Sequence, residues 1–196
     1  MSRLLERSGE PLRPGRYLEP GFRPPISFAI ERPGVWVARQ FVDGFFDIQK
    51  EPDTLDVIAV QFCRPSAVHR SSDEAVPAGY ASEAIAALQS NADLTVSAPL
   101  TGAIAGIPTT TIDIETTTPP DSDAPIFSPV LRIEAGPISL ASARRLRISW
   151  LDLPDGLVAI LVGGSTADWT RATTAADEIL ATVRLESDDG SVSPGA

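Results

Sequence analysis

Between Pro24 and Phe62 the chain changes polarity every few residues, and the changes follow a strand period. Ile26, Phe28 and Ile30 alternate with Ser27 and Ala29, which predicts a strand that ends at the turn signal Glu31-Arg-Pro-Gly34. Val35 and Val37 open a second strand, Asp43-Gly44 is a hairpin signal, and Phe45 to Gln49 is a third strand. Glu51-Pro-Asp-Thr54 turns the chain again. Val57 to Phe62 is apolar on both faces except at Gln61, as expected of a central strand. The four runs predict an antiparallel meander.

Periodicity then changes. Arg64 to Gly79 is polar and predicts a long loop. Ala81, Ala84, Ile85 and Leu88 fall at helical spacing and predict a helix over Tyr80 to Ser90. Leu94 to Pro99 and the β-branched run Ile107 to Thr116 read as strands, with Gly102 to Gly106 between them. Thr117 to Ser128 has loop composition, Val130 to Glu134 is a short strand, and Gly136 to Ala143 is irregular. Leu146, Ile148 and Trp150 alternate with Arg145, Arg147 and Ser149, a strand with one apolar and one basic face. After the turn Leu153 to Gly156, Leu157 to Val162 is an unbroken apolar strand, which Gly163-Gly164 is expected to end. Ser165 or Thr166 can cap the following helix, whose stripe is Trp169, Ala172, Ala176 and Ile179. Ala181 to Leu185 reads as a last edge strand. Neither a repeat nor a midchain linker is evident. The organisation predicted is a flexible N-terminal arm over residues 1–20, a single domain over 21–186 and a disordered acidic tail over 187–196.

The order strand, Glu31-Arg-Pro-Gly-Val-Trp36, hairpin, Phe45-Phe-Asp-Ile-Gln49 resembles the PsbP-like domains, in which a Pro-Gly-Trp turn joins the first two strands. The later order of helix, meander, helix Trp169 to Leu180 and Ala-Thr-Val-Arg-Leu185 is similar too. The resemblance implies an α+β fold, an α/β/α sandwich around a mainly antiparallel sheet, in an uncharacterised bacterial member of that group. It implies no activity. PsbP supports a photosystem and a relative of the same fold binds the GTPase Ran, but neither set of functional residues has a position-by-position match here.

Charge narrows the partners. The 196 residues carry 26 acidic and 16 basic side chains, a net charge of −10, which argues against nucleic acid as a partner. No apolar run is long enough for a membrane-spanning helix. The first residues have no apolar h-region, so a cytoplasmic location is expected, although domains of the resembled type are often exported. Lys50 is the only lysine, a bias that a GC-rich genome produces.

Candidate chemistry is sparse. The single cysteine, Cys63, and single histidine, His69, exclude an intrachain disulfide and the usual thiolate or imidazole metal sites, and no cofactor is implied. Asp113 and Glu115 lie two apart on a strand and share a face, a pattern suited to acid–base work or a hard cation, and equally to a solvated strand face. Arg145 and Arg147 share a face and suit either an acidic ligand or the chain's own carboxylates, with internal pairing favoured. Ser165 and Thr166 begin a helix, where free N–H groups can hold an anion, but neither a P-loop nor a nucleophile elbow surrounds them. Trp36, Phe45, Phe46, Phe62, Trp150 and Trp169 fall on apolar stripes and read as core. The function expected is a non-enzymatic binding or assembly module for a protein or small ligand. The alternative is a small-molecule-binding protein or hydrolase with a pocket near Asp113, Glu115, Ser165 and Thr166.

Overall fold

In the computed structural model, residues 3–4, 9–32, 35–42, 44–51, 54, 56–117 and 127–186 are described. The strands in chain order are β1 (Arg3–Leu4), β2 (Gly15–Glu19), β3 (Ile26–Ile30), β4 (Val37–Val42), β5 (Phe45–Lys50), β6 (Ile58–Cys63), β7 (Ala67–His69) and β8 (Ala75–Val76). Helix α1 (Ala81–Gln89) precedes β9 (Leu94–Val96), β10 (Leu100–Ile104), β11 (Ile107–Thr116), β12 (Phe127–Ile133), β13 (Gly136–Ala141), β14 (Arg144–Leu153) and β15 (Gly156–Ser165). Helix α2 (Trp169–Leu180) and β16 (Arg184–Leu185) follow.

The described residues form an α+β fold, mostly antiparallel sheet with two helices. Its main sheet has the order β10-β11-β14-β15-β6-β5-β4, with β9 also on β11. The apolar run Leu157–Val162 lies at its centre, as its two-sided hydrophobicity requires. Alternation splits the core in two. Phe46, Ile48, Val60, Phe62, Val158, Ile160 and Val162 face one side and pack with Ala172, Ala176 and Ile179 of α2. Phe45, Cys63, Ile112, Ile114, Ile148, Trp150 and Leu161 face the other and pack with Ala84, Ile85 and Leu88 of α1. Trp36, Phe45, Phe46, Phe62 and Trp150 are all buried, as their stripes predict.

Several expectations need correction. Residues 9–20 are not a loose arm: β2 pairs antiparallel with β3 from Gly15↔Ile30 to Glu19↔Ile26. Leu12 and Tyr17 are buried in the core beside Phe28, and the Tyr17 hydroxyl donates to the Arg13 carbonyl oxygen at 2.9 Å. The segment shows no apolar alternation in sequence, and its strand is held by the ladder to β3 with Tyr17 and Glu19 buried on one face. β3 accordingly leaves the predicted meander: it sits in a second sheet of order β1-β2-β3-β16, while β4, β5 and β6 keep the meander order. Arg64 to Gly79 contains β7 and β8, and the irregular stretch 136–143 is largely β13; both belong to a third sheet of order β13-β12-β7-β8. Pro33, Gly34, Asp43, the loop 118–126 and the tail 187–196 lie outside the described residues.

The chain also passes straight through Gly163-Gly164 instead of ending there. β14 continues the ladder, with Arg145 opposite Gly164 and Arg144 opposite Ser165. The glycines serve packing. A Cβ on Gly164 would sit 2.5 Å from the Cβ of Ala172, so α2 crosses β15 at a point where only hydrogen fits. Helix α2 then starts at Trp169 with Asp168 at its N-cap and no side-chain cap bond, so the expected capping by Ser165 or Thr166 does not occur.

Candidate functional site

Strands β11 and β14 bring four of the six predicted residues together. Asp113 stands directly opposite Arg147 and Glu115 opposite Arg145, all on the face opposite buried Ile112, Ile114, Leu146 and Ile148. Directly opposed unlike charges support a strand pair. Here they form a ladder. Asp113 accepts from Arg147 Nε at 2.8 Å, from Arg147 Nη2 at 3.1 Å and from Arg145 Nη2 at 3.1 Å. Glu115 Oε1 lies 3.2 Å from Arg145 Nη1.

Trp169, at the start of α2, closes this cluster. The Arg145 and Arg147 guanidinium carbons lie 5.2 and 5.7 Å from its ring centroid, within cation–π range. Trp169 is therefore half-buried at the rim of the core, covered on one side by two cations. The bonds from Arg147 to Asp113 raise the Arg147 pKa above its ordinary value, and the Asp113 and Asp177 charges add to this against partial burial. Asp113 is engaged by both arginines, which suits a structural strut better than a proton-transfer group.

Ser165 and Thr166 lie apart from Asp113. A cavity of about 410 Å³ places them with Glu115, Thr116 and Arg144. The Ser165 hydroxyl accepts from the Ala167 N–H at 3.3 Å, and the Thr166 N–H donates to the Ala143 carbonyl at 3.0 Å. Arg144 points away from Arg145 and donates to the Val57 carbonyl at 2.6 Å. Only Glu115 of the predicted carboxylates reaches this cavity.

A larger groove, about 630 Å³, runs between the sheet and the C-terminal end of α2. Its floor carries Thr109, Thr111, Ser149 and Arg147, and its opposite wall carries Asp177 and Leu180. Thr111 Oγ1 and Ser149 Oγ are 2.9 Å apart. Thr109 and Thr111 share parity with Asp113 and Glu115 on β11, so the same period-two reading that picks out the carboxylates extends to the hydroxyls. What the sequence did not show was that α2 would stand over them.

The other reactive side chains are remote and inert. Cys63 is fully buried on the α1 side, and burial pushes its thiol pKa far up, away from the thiolate. His69 is buried in β7, with Nδ1 3.3 Å from the Ser71 carbonyl oxygen. Asp47 is buried within the sheet, and desolvation pushes its carboxyl up to about 6, against hydrogen bonds from Gln49 and Gln61 and the charge of Arg39. Among the described residues no group of three or more His, Cys, Asp or Glu is placed to hold a metal ion, and no helix is long and apolar enough to cross a membrane.

No protein-family profile matches the chain, and no curated protein matches it in sequence. Similarity is found among solved structures. The solution structure of cyanobacterial PsbP (CyanoP) from Synechocystis sp. PCC 6803 is similar at 12% identity and TM-score 0.44, over 91% of this chain and 94% of that one. A crystal structure from Bacteroides thetaiotaomicron VPI-5482 is similar at 12% identity and TM-score 0.44 over 90% of this chain, which spans only 50% of that one. LpqN of Mycobacterium tuberculosis, described as involved in cell envelope biogenesis, is similar at 7% identity and TM-score 0.40, over 90% of each chain. These are likenesses of fold, each at a TM-score under 0.5.

Proposed function

We propose that the chain is a non-enzymatic binding module, a three-layer α/β/α sandwich whose ligand or partner enters the groove between β11, β14 and the end of α2. The observation that carries this reading is the groove itself. Beside the ladder of Asp113, Glu115, Arg145 and Arg147, a groove of about 630 Å³ is lined by Thr109, Thr111 and Ser149, of which Thr111 and Ser149 hydrogen-bond each other. A concave surface with convergent polar groups is where a ligand gains orientation. Arg147 on its floor and Asp177 on its opposite wall carry opposite charges, which suits a ligand of low net charge.

The hydrolase alternative rests on the cavity that joins Glu115 to Ser165 and Thr166. It lacks a histidine beside the hydroxyls: the single histidine, His69, lies in β7, paired with β8 and β12. The binding reading is tested by two-dimensional NMR of labelled protein against a library of neutral and zwitterionic small molecules and short peptides. Shifts confined to Thr109, Thr111, Ser149 and Asp177, abolished by Ser149→Val, are expected. Shifts centred on Ser165 and Thr166, or ester or phosphoester turnover abolished by Glu115→Gln, would favour the alternative.

A further inference from the structure

The main sheet ends in β10, and this edge differs from the others. β4, at the opposite end, is partly covered by the N-terminal segment: the Gly9 N–H donates to the Ala38 carbonyl at 3.2 Å and the Leu12 N–H to the Trp36 carbonyl at 2.7 Å. β1, β8 and β16 are two residues long, and β13 carries Pro137. Short strands, prolines and cover are the ordinary protections of a sheet edge. β10 has none of them within its five residues, Leu-Thr-Gly-Ala-Ile, and its outer edge has no partner among the described residues. Leu100 is 65% exposed.

The direction of its free hydrogen-bonding groups follows from the hairpin. Ala105 and Gly106 both have positive φ, 53° and 77°, which makes the Ile104–Ile107 connection a two-residue turn closed by a hydrogen-bonded pair. Alternation then makes Gly102↔Thr109 a bonded pair, and Thr101↔Thr110 and Ala103↔Pro108 non-bonded pairs. Pro108, which has no N–H, fits the non-bonded position. The N–H and C=O groups of Thr101 and Ala103 therefore point to the open edge.

We propose that a second copy of the chain pairs with this edge, β10 antiparallel to β10, about a two-fold axis at Gly102. The strand is close to a palindrome about that residue. In this register Gly102 faces Gly102 of the second copy, Thr101 faces Ala103, and Leu100 faces Ile104. Each Thr101–Ala103 pair exchanges two backbone hydrogen bonds. Each Leu100 covers an Ile104 on the face that bears the groove, so the exposed leucine gains an apolar neighbour.

Charge selects the same surface. The chain carries −10, so two copies repel wherever carboxylates meet. No charged residue occurs between Asp93 and Asp113, a stretch that holds β9, β10, the turn and the first six residues of β11, Ile107 to Ile112. It is a place where two such molecules can touch without like charges opposed. A basic partner would gain nothing there. Five residues per copy form a smaller contact than the roughly 1,200–2,000 Å² of a standard stable interface, so association is concentration-dependent.

Sedimentation velocity of the full chain over a concentration series tests this. A monomer–dimer equilibrium is expected. Thr101→Lys, on an exposed strand edge, is expected to weaken it at least tenfold, whereas Thr174→Lys on the exposed side of α2, with the same charge change, leaves it intact. Ala103→Pro removes an outward N–H while sparing the ladder to β11, and is expected to weaken association with an unchanged circular dichroism spectrum. A strictly monomeric wild-type chain overturns the proposal, as does a dimer that persists in both Thr101→Lys and Ala103→Pro. Protection of the Thr101 and Ala103 amides from exchange only on adding an unrelated extended peptide would also overturn it, in favour of a foreign strand.

Discussion

Gly164→Ala tests the packing that holds α2 over the sheet. The added Cβ would lie 2.5 Å from the Ala172 Cβ and 3.7 Å from Trp169 Cε3. Ordinary carbon contacts lie at about 3.5–4.0 Å, so the two surfaces must part by about an ångström or more. Neither atom is at the end of a flexible side chain, so relief comes from moving the helix. Overpacking of this kind costs about 1–3 kcal/mol. Replacing glycine by alanine within a strand returns roughly 0.5–1 kcal/mol, and the net loss expected is about 1–2 kcal/mol. Ala172→Gly alone should cost about 2 kcal/mol, from helix propensity and one lost buried methyl. In the double variant the methyl is simply transferred from helix to strand. Its cost should therefore fall short of the sum by about 1–2 kcal/mol, well above the roughly 0.5 kcal/mol scatter of independent sites. Urea denaturation followed by tryptophan fluorescence measures all three, with Trp169 reporting directly on the contact. An additive double variant, or a Gly164→Ala chain as stable as wild type, would refute the reasoning.

Other measurements probe other parts. Burial raises the Asp47 carboxyl from 3.8 to about 6, so the folded chain holds a proton that the unfolded chain releases, and stability falls as pH rises through that window. Asp47→Asn should therefore be more stable than wild type at pH 7.5 by on the order of 2–3 kcal/mol, with the gap closing near pH 4, as urea melts at the two pH values would show. Tyr17→Ala should cost about 3–5 kcal/mol, and removal of residues 1–20 should lower the melting temperature sharply; an unchanged melting temperature would return this segment to the status of an arm. Asp113→Ala strips Arg145 and Arg147 of a shared acceptor and should cost about 1–3 kcal/mol at this partly exposed site, less at high salt; a stability change below about 0.5 kcal/mol would mean the ladder contributes no structure.

The strands that alternation or uniform hydrophobicity marked were legible almost residue by residue, because those patterns record burial on one face or two. The predicted helix stripe Ala81, Ala84, Ile85 and Leu88 is buried, and the β-branched run Ile107–Thr116 is β11 to the residue. What the pattern could not show is which strands pair across distance. β3 alternates as well as β5 does, yet it joins β2 and β16, because pairing is decided by which edges the folded chain leaves open. Tyr17 lies in the segment that its composition marks as an arm. It is buried because Phe28 lies beneath it, with ring centroids 5.8 Å apart. Gly163-Gly164 reads in sequence as a strand end, and the close approach it serves instead is set by the position of Ala172 on a distant helix.

The candidate site was legible in the same partial way. Parity on one strand put Asp113 with Glu115 and parity on another put Arg145 with Arg147, but register decides whether two such pairs face each other. The register of β11 on β14 opposes each carboxylate to an arginine, and Trp169 seals the group from above. Charges spent on one another in this way fix the sheet and the start of α2. They also orient Arg147 at the mouth of the hydroxyl-lined groove. The ladder and the groove thus divide one sheet face between them: the charges are paired with one another, and the uncharged hydroxyls line the groove next to them. Because Arg147 belongs to both, Arg147→Lys separates the roles. Lysine retains the charge but cannot make the bidentate bond to Asp113, so stability should fall while a ligand bound through Thr109 and Ser149 alone should keep its affinity within about threefold.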